Sequence, residues 1–148
     1  MPKKKQKEEN LMPHRQWRFR NFELVRHRSN DEAQLQHLLV NWLESKDILF
    51  VASNVGGMNL GARVGAIRKR LGVRAGVPDL LILEPRGKYH GMALELKVKG
   101  GKISDEQTQF TQRLTDKGYY AVIMPPTMGV SDGLAWAQNA VEEYLAKD

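Results

Sequence analysis

Met92-Ala-Leu-Glu-Leu-Lys-Val98 sets Met92, Leu94, Leu96 and Val98 in alternation with Ala93, Glu95 and Lys97. Period-two alternation predicts a strand with one buried face, and it puts Glu95 and Lys97 on the same side. On an isolated strand such a pair is a solvated surface contact worth roughly 0 to 1 kcal/mol. What the pair becomes depends on what the chain folds against it.

Working outward, Asp79-Leu-Leu-Ile-Leu83 reads as a second strand, joined to the first through EPRGKYHG, in which Pro85 and Gly87 are turn residues. A hairpin centred near Gly87 brings Asp79 opposite Glu95, give or take a residue or two. Two carboxylates meeting across two strands are hard oxygen ligands of the kind that Mg²⁺ or Mn²⁺ takes, with positions left open for water and substrate phosphate. Lys97 then faces the same site. Burial and an adjacent cation both push a lysine pKa down, so the expectation is a depressed Lys97 that orients or deprotonates an attacking water. Two acids, a metal and a lysine together suit phosphodiester hydrolysis.

The remaining elements follow from period and caps. Asp31 to about Ser45 reads as a helix with Leu35, Leu38, Leu39, Trp42 and Leu43 on an apolar stripe, and Ser29 with Glu32 forms a capping box at its start. Ile48 to Ala52 reads as a short strand, Asn54 to Gly65 as a largely glycine-rich loop, and the residues up to Leu71-Gly72 as a short basic helix. Ser104-Asp-Glu-Gln107 is a second capping box, opening a helix that ends near Gly118. Tyr119 to Met124 reads as a strand, PPTMG as a break and Ser131 to Ala146 as a last amphipathic helix. No internal repeat is present.

With 148 residues the chain forms one domain and needs no staples to bury its core. It has no cysteine, which excludes a disulfide framework, a thiolate metal site and a thiol nucleophile. Its four histidines, at 14, 27, 37 and 90, lack metal-ligand spacing, and this removes support for a histidine-metal nuclease. There is no long apolar run and no signal-like start, so the expectation is a soluble cytoplasmic protein without a membrane contact or small-molecule cofactor.

The net charge of +6 is unevenly spread. Residues 1–28, read as a basic N-terminal arm, hold nine Lys or Arg and three acids, and residues 63–74 hold five Lys or Arg and no acid. That leaves nine basic and fourteen acidic residues elsewhere, a net of −5. Two basic segments on a mildly acidic body point to a polyanion as partner. Arg63, Arg68, Lys69, Arg70 and Arg74, with Lys99 and Lys102 beyond the central strand, are the candidate DNA contacts. In the arm, Trp17, Phe19 and Phe22 stand among arginines, a pattern that stacks on bases or packs on the domain.

Four blocks, EAQLQ in the first helix, N-x-G-G at Asn54 to Gly57, G-V-P-D at Gly76 to Asp79 with E-L-K at Glu95 to Lys97, and S-D-E-Q at Ser104 to Gln107, occur in an order that resembles the VRR-NUC domain, the virus-type replication-repair branch of the PD-(D/E)XK nucleases. The resemblance runs from about Ser29 to Met124, within a single nuclease domain assigned to residues 29–148. It implies an α/β fold with a restriction-endonuclease-like αβββαβ core, a central mixed sheet flanked by helices. It also implies Mg²⁺ or Mn²⁺ held by Glu32, Asp79, Glu95 and the Leu96 carbonyl, with Lys97 as base or water-positioner and Gln107 supporting the site. Stand-alone members of the family resemble homodimeric endonucleases that act on branched DNA such as four-way junctions, often from phages.

Other readings remain beside this one. Gln107 and Glu32 each occupy the third helical position of a capping box, which alone would account for them. The fold could serve as a DNA-binding module without turnover, or as a flap or single-strand nuclease. A sequence-specific restriction-type enzyme is disfavoured, since the chain has little room for a base-reading element.

Overall fold

The computed structural model describes residues 31–53 and 61–148, with the side chains of 61–63 excepted. The arm at 1–28, the Ser29 half of the first capping box, the Asn54–Gly57 loop and the Arg63 side chain lie outside that range. In chain order the elements are α1 (Asp31–Ser45), β1 (Phe50–Ala52), α2 (Gly61–Arg70), β2 (Leu80–Ile82), β3 (Met92–Glu95), α3 (Asp105–Asp116), β4 (Tyr120–Ile123) and α4 (Val130–Leu145). This is the expected αβββαβ core, with the basic helix α2 placed between the first two strands and α4 added at the end.

The four strands form one sheet in the order β1-β2-β3-β4. The first two pairings are antiparallel and β3 with β4 is parallel, which makes the sheet mixed. A parallel neighbour requires a crossover, and α3 supplies it. Leu80 pairs with Leu94 across the β2–β3 hairpin. Continued by one residue, that register sets Asp79 against Glu95, as the turn chemistry of EPRGKYHG predicts. Gly87 takes a φ of +52° in this turn, a conformation that favours glycine.

The strands are shorter than their apolar runs suggest. Met92 to Val98 yields pairing only over Met92–Glu95, and Asp79 to Leu83 only over Leu80–Ile82. Beyond Glu95 the ladder gives way to side-chain bonding, described below. The expectation of a single buried face on β3 is also corrected: every residue from Met92 to Lys97 is buried. β3 is an interior strand with helices on both sides, so neither of its faces reaches water.

On one side, Leu80, Ile82, Met92 and Leu94 join Leu35, Leu39 and Leu43 of α1 and Val141 and Tyr144 of α4 in a single core. The helices approach closely because α4 presents Gly133 where any side chain would meet Met124 and Leu35. Truncating a fully buried leucine such as Leu39 to alanine costs about 2 to 5 kcal/mol in such a core. On the other pleat, Glu95 meets Gln107 at the start of α3, and α3 packs against β4. That helix carries the complete Ser104–Gln107 capping box, and Gly118, with φ +86°, follows its C-terminal end.

Candidate active site

Asp79, Glu95 and Lys97 are only 7%, 3% and 5% exposed. Burying three charged groups costs several kcal/mol each unless they are paired and hydrogen-bonded, so their partners decide what the cluster is. The Leu96 amide donates to Asp79 Oδ2 at 2.8 Å, which fixes the carboxylate where β2 and β3 part and brings the Leu96 backbone to the site. Lys97 Nζ lies 2.9 Å from Glu95 Oε1 and 3.6 Å from Glu32 Oε1. The same-face geometry predicted for Glu95 and Lys97 is thus a buried ion pair, not a solvated one.

Glu32 arrives from α1. It precedes Leu35, Leu39 and Leu43 by three, seven and eleven positions, so the stripe that buries those leucines also aims Glu32 inward at the N-terminal end of the helix. Carboxylate oxygens of Glu32, Asp79 and Glu95 all lie within 4.8 Å of one another. Ligands of a Mg²⁺ ion, each about 2.1 Å from it, stand roughly 3 to 4.2 Å apart, so this set is close to the required span. Three carboxylates and one ammonium carry a formal charge of −2, the charge that a divalent cation offsets. The donor chemistry and the charge both fit a hard divalent ion.

The electrostatics express that imbalance. Burial, above all, raises Asp79; the Leu96 hydrogen bond opposes it and Glu32 adds to it. Glu95 is pushed up to about 7, by burial first and then by the charge of Asp79, against the pull of Lys97. For Lys97 burial is the largest single influence and acts downward, as expected from the sequence. The Glu95 hydrogen bond and the charges of Glu95, Glu32 and Asp79 nevertheless raise it above the ordinary lysine value. The expected depression is therefore reversed among the protein groups, because three acids surround the lysine.

Gln107 bonds both to the helix cap and to Glu95. Its Oε1 accepts the Ser104 amide at 3.0 Å, and its own amide donates to Ser104 Oγ at 3.2 Å. Its Nε2 donates to Glu95 Oε1. Gly76 seats this helix start: with φ +78°, it passes so close to Glu106 and Gln107 that a Cβ would lie 2.2 Å from the Glu106 carbonyl oxygen. Ser53, which the sequence reading does not single out, donates from its amide to the Asp79 carbonyl at 2.9 Å and from Oγ to the Pro78 carbonyl. Both carbonyls flanking the Asp79 nitrogen and α-carbon are thereby tied to the end of β1. A serine after a short strand carries no sequence signal for this.

A cleft of about 280 Å³ opens onto Glu32, Asp79, Glu95 and Gln107. Of the candidate DNA contacts, Arg74 lines it, and Arg68, Lys69 and Arg70 are exposed on the last turn of α2. Lys99 and Lys102 are exposed on the loop after β3, where Gly101 packs against the Lys97 stem. A larger opening, about 580 Å³, lies among Trp42, Lys46, Arg86 and Glu142 and includes none of the site residues. Among the described residues no helix is long and apolar enough to cross a membrane.

The family model for the VRR-NUC domain matches residues 20–125. A solved structure named as a VRR_NUC domain protein is 27% identical, with a TM-score of 0.58, over 76% of this chain and 88% of that one. Another, named as a VRR_NUC domain, is 19% identical with a TM-score of 0.49, over 77% and 97%. No curated protein matches the chain.

Proposed function

The chain belongs to the VRR-NUC domain family, a nuclease-type domain, and from that membership we propose that it is a Mg²⁺- or Mn²⁺-dependent endodeoxyribonuclease that cuts branched DNA such as four-way junctions. The observation that carries the reading is the convergence of Glu32, Asp79 and Glu95 beside buried Lys97. Glu32, Asp79, Glu95 and the Leu96 carbonyl would hold the cation. When bound, that ion supplies charge stabilisation on phosphate oxygens and acidifies coordinated water.

The protein groups divide the remaining work. Lys97 orients the attacking water, with its own position fixed by Glu95 and Glu32. Gln107 holds the Glu95 carboxylate through Nε2, and Ser53 and the Leu96 amide hold Asp79. In the reaction the water oxygen bonds to phosphorus, the bond from phosphorus to the leaving sugar oxygen breaks, and that oxygen takes up a proton. One water is consumed per strand cut. Arg68, Lys69, Arg70, Lys99, Lys102 and Arg63 supply affinity for the backbone, which is electrostatic and reads no sequence.

A homodimer suits this substrate, because a symmetric four-way junction needs two incisions and a two-fold assembly provides two sites. The experiment is to incubate purified protein with Mg²⁺ or Mn²⁺ and end-labelled single-strand, duplex, flap and four-way-junction DNA, with chelator controls. Metal-dependent nicking of the junction, accompanied by a dimeric mass in solution, is expected. Cleavage confined to flap or single-strand DNA would replace the substrate assignment. Tight binding without cleavage under any metal would reduce the protein to a binding module.

A further inference from the structure

Arg74 stands in the carboxylate-lined cleft and is the sole Lys or Arg among the cleft-lining residues described. Its surroundings are unlike those of the other candidate cations whose side chains are described. Nη1 donates to the Lys69 carbonyl at 3.0 Å and to the Val73 carbonyl at 3.4 Å. The Lys69 carbonyl belongs to the last turn of α2, the negative end of the helix dipole, which favours a cation there. The guanidinium is therefore anchored through one nitrogen, with its other N–H groups unspent on these carbonyls.

Glu32, Asp79 and Glu95 line the same cleft, yet among the described residues Arg74 forms no ion pair with any of them. Lys97 pairs with two of these acids instead. An arginine that is held at the lip of an acidic cleft by backbone carbonyls, and that does not fall onto the acids, is placed for an anion entering the cleft. A phosphodiester is that anion in the reading above, and a planar fork of N–H donors matches its oxygens better than an ammonium does.

We propose that Arg74 contacts a non-bridging oxygen of the phosphate that is cleaved, distinguishing it from the α2 cations that supply general affinity. The inference rests on the nuclease reading and names one substrate contact within it. Arg74 neither gives nor takes a proton in the step; it offsets charge on the phosphate oxygens as the water oxygen bonds and the sugar oxygen departs. Arg68, Lys69 and Arg70, exposed on the helix, touch backbone phosphates away from the reacting one.

The test is single-turnover cleavage, at saturating protein, of whichever labelled DNA the wild type cuts. Arg74→Ala is expected to be slower by roughly ten- to a hundredfold even at saturation. Arg74→Lys recovers only part of that rate. A variant with Arg68, Lys69 and Arg70 all changed to Gln needs more protein to saturate, the loss expected of cations that supply affinity. Arg74 is exposed, so its variants keep the wild-type unfolding temperature, and that measurement accompanies the rates. Wild-type speed for Arg74→Ala at saturation would overturn the proposal and return the residue to general affinity. Absence of cleavage by the wild type with either metal would overturn the nuclease reading itself.

Discussion

One side-chain amide joins Gln107 to Glu95 while also closing the cap of α3, so a helix start and a buried carboxylate are held by the same group. Because the Oε1 end is committed to the Ser104 amide, the NH₂ end is the one presented to Glu95. Gln107→Glu keeps an acceptor for the cap and sets a carboxylate against Glu95. We expect it to retain most of α3 yet lose about 1 to 3 kcal/mol of stability in urea at neutral pH, where like charges are buried together, with cleavage falling alongside. Unchanged stability and cleavage would mean that the contact to Glu95 is incidental.

The Glu32 carboxylate lies in the cluster with Asp79 and Glu95, and the sequence also gives it the third helical position of a capping box. Glutamine retains an acceptor for a cap but brings no charge to a metal. Glu32→Gln is expected to stay within about 0.5 kcal/mol of wild-type stability while requiring more Mg²⁺ for half-maximal cleavage. A superimposable metal titration would strike Glu32 from the ligand set.

Divalent metal should also stabilise the fold, since ions that bind the folded chain alone raise its stability by mass action, about 2.7 kcal/mol at a hundred times the dissociation constant. Adding Mg²⁺ or Mn²⁺ is expected to raise the melting temperature of the wild type. The increase should disappear in Asp79→Asn, where the acceptor for the Leu96 amide is retained but the charge is removed. An equal increase in both proteins would place the ion elsewhere.

Neutralising Arg68, Lys69 and Arg70 together should flatten the plot of log affinity against log salt by about 0.9 for each phosphate that no longer meets a cation. These residues are exposed on one helical turn, so no packing change complicates the reading. An unchanged slope would make that turn ordinary solvated surface.

Much of the site was legible because its parts obey local rules. Alternation gave Glu95 and Lys97 a common side, turn residues near Gly87 gave the hairpin, and the family resemblance named Glu32 beside them. What was hidden depends on neighbours distant in sequence. That β3 is buried on both faces follows from the helices on either side of it, and alternation on one strand carries no trace of them. The upward shift of Lys97 needs three carboxylates from three segments to be counted at once. Ser53 shows its role only through two backbone carbonyls just before β2, and the second bond of Gln107 only once the start of α3 is brought to the end of β3.

The most direct measurement compares DNA cleavage with DNA binding for Asp79→Ala, Glu95→Ala and Lys97→Ala, each shown to be folded, in the presence of Mg²⁺ or Mn²⁺. Since affinity is attributed to exposed cations and chemistry to the buried cluster, each variant is expected to bind with near wild-type affinity and to lose cleavage. Cleavage at the wild-type rate by any one of the three would contradict the assignment of this cluster as the catalytic centre.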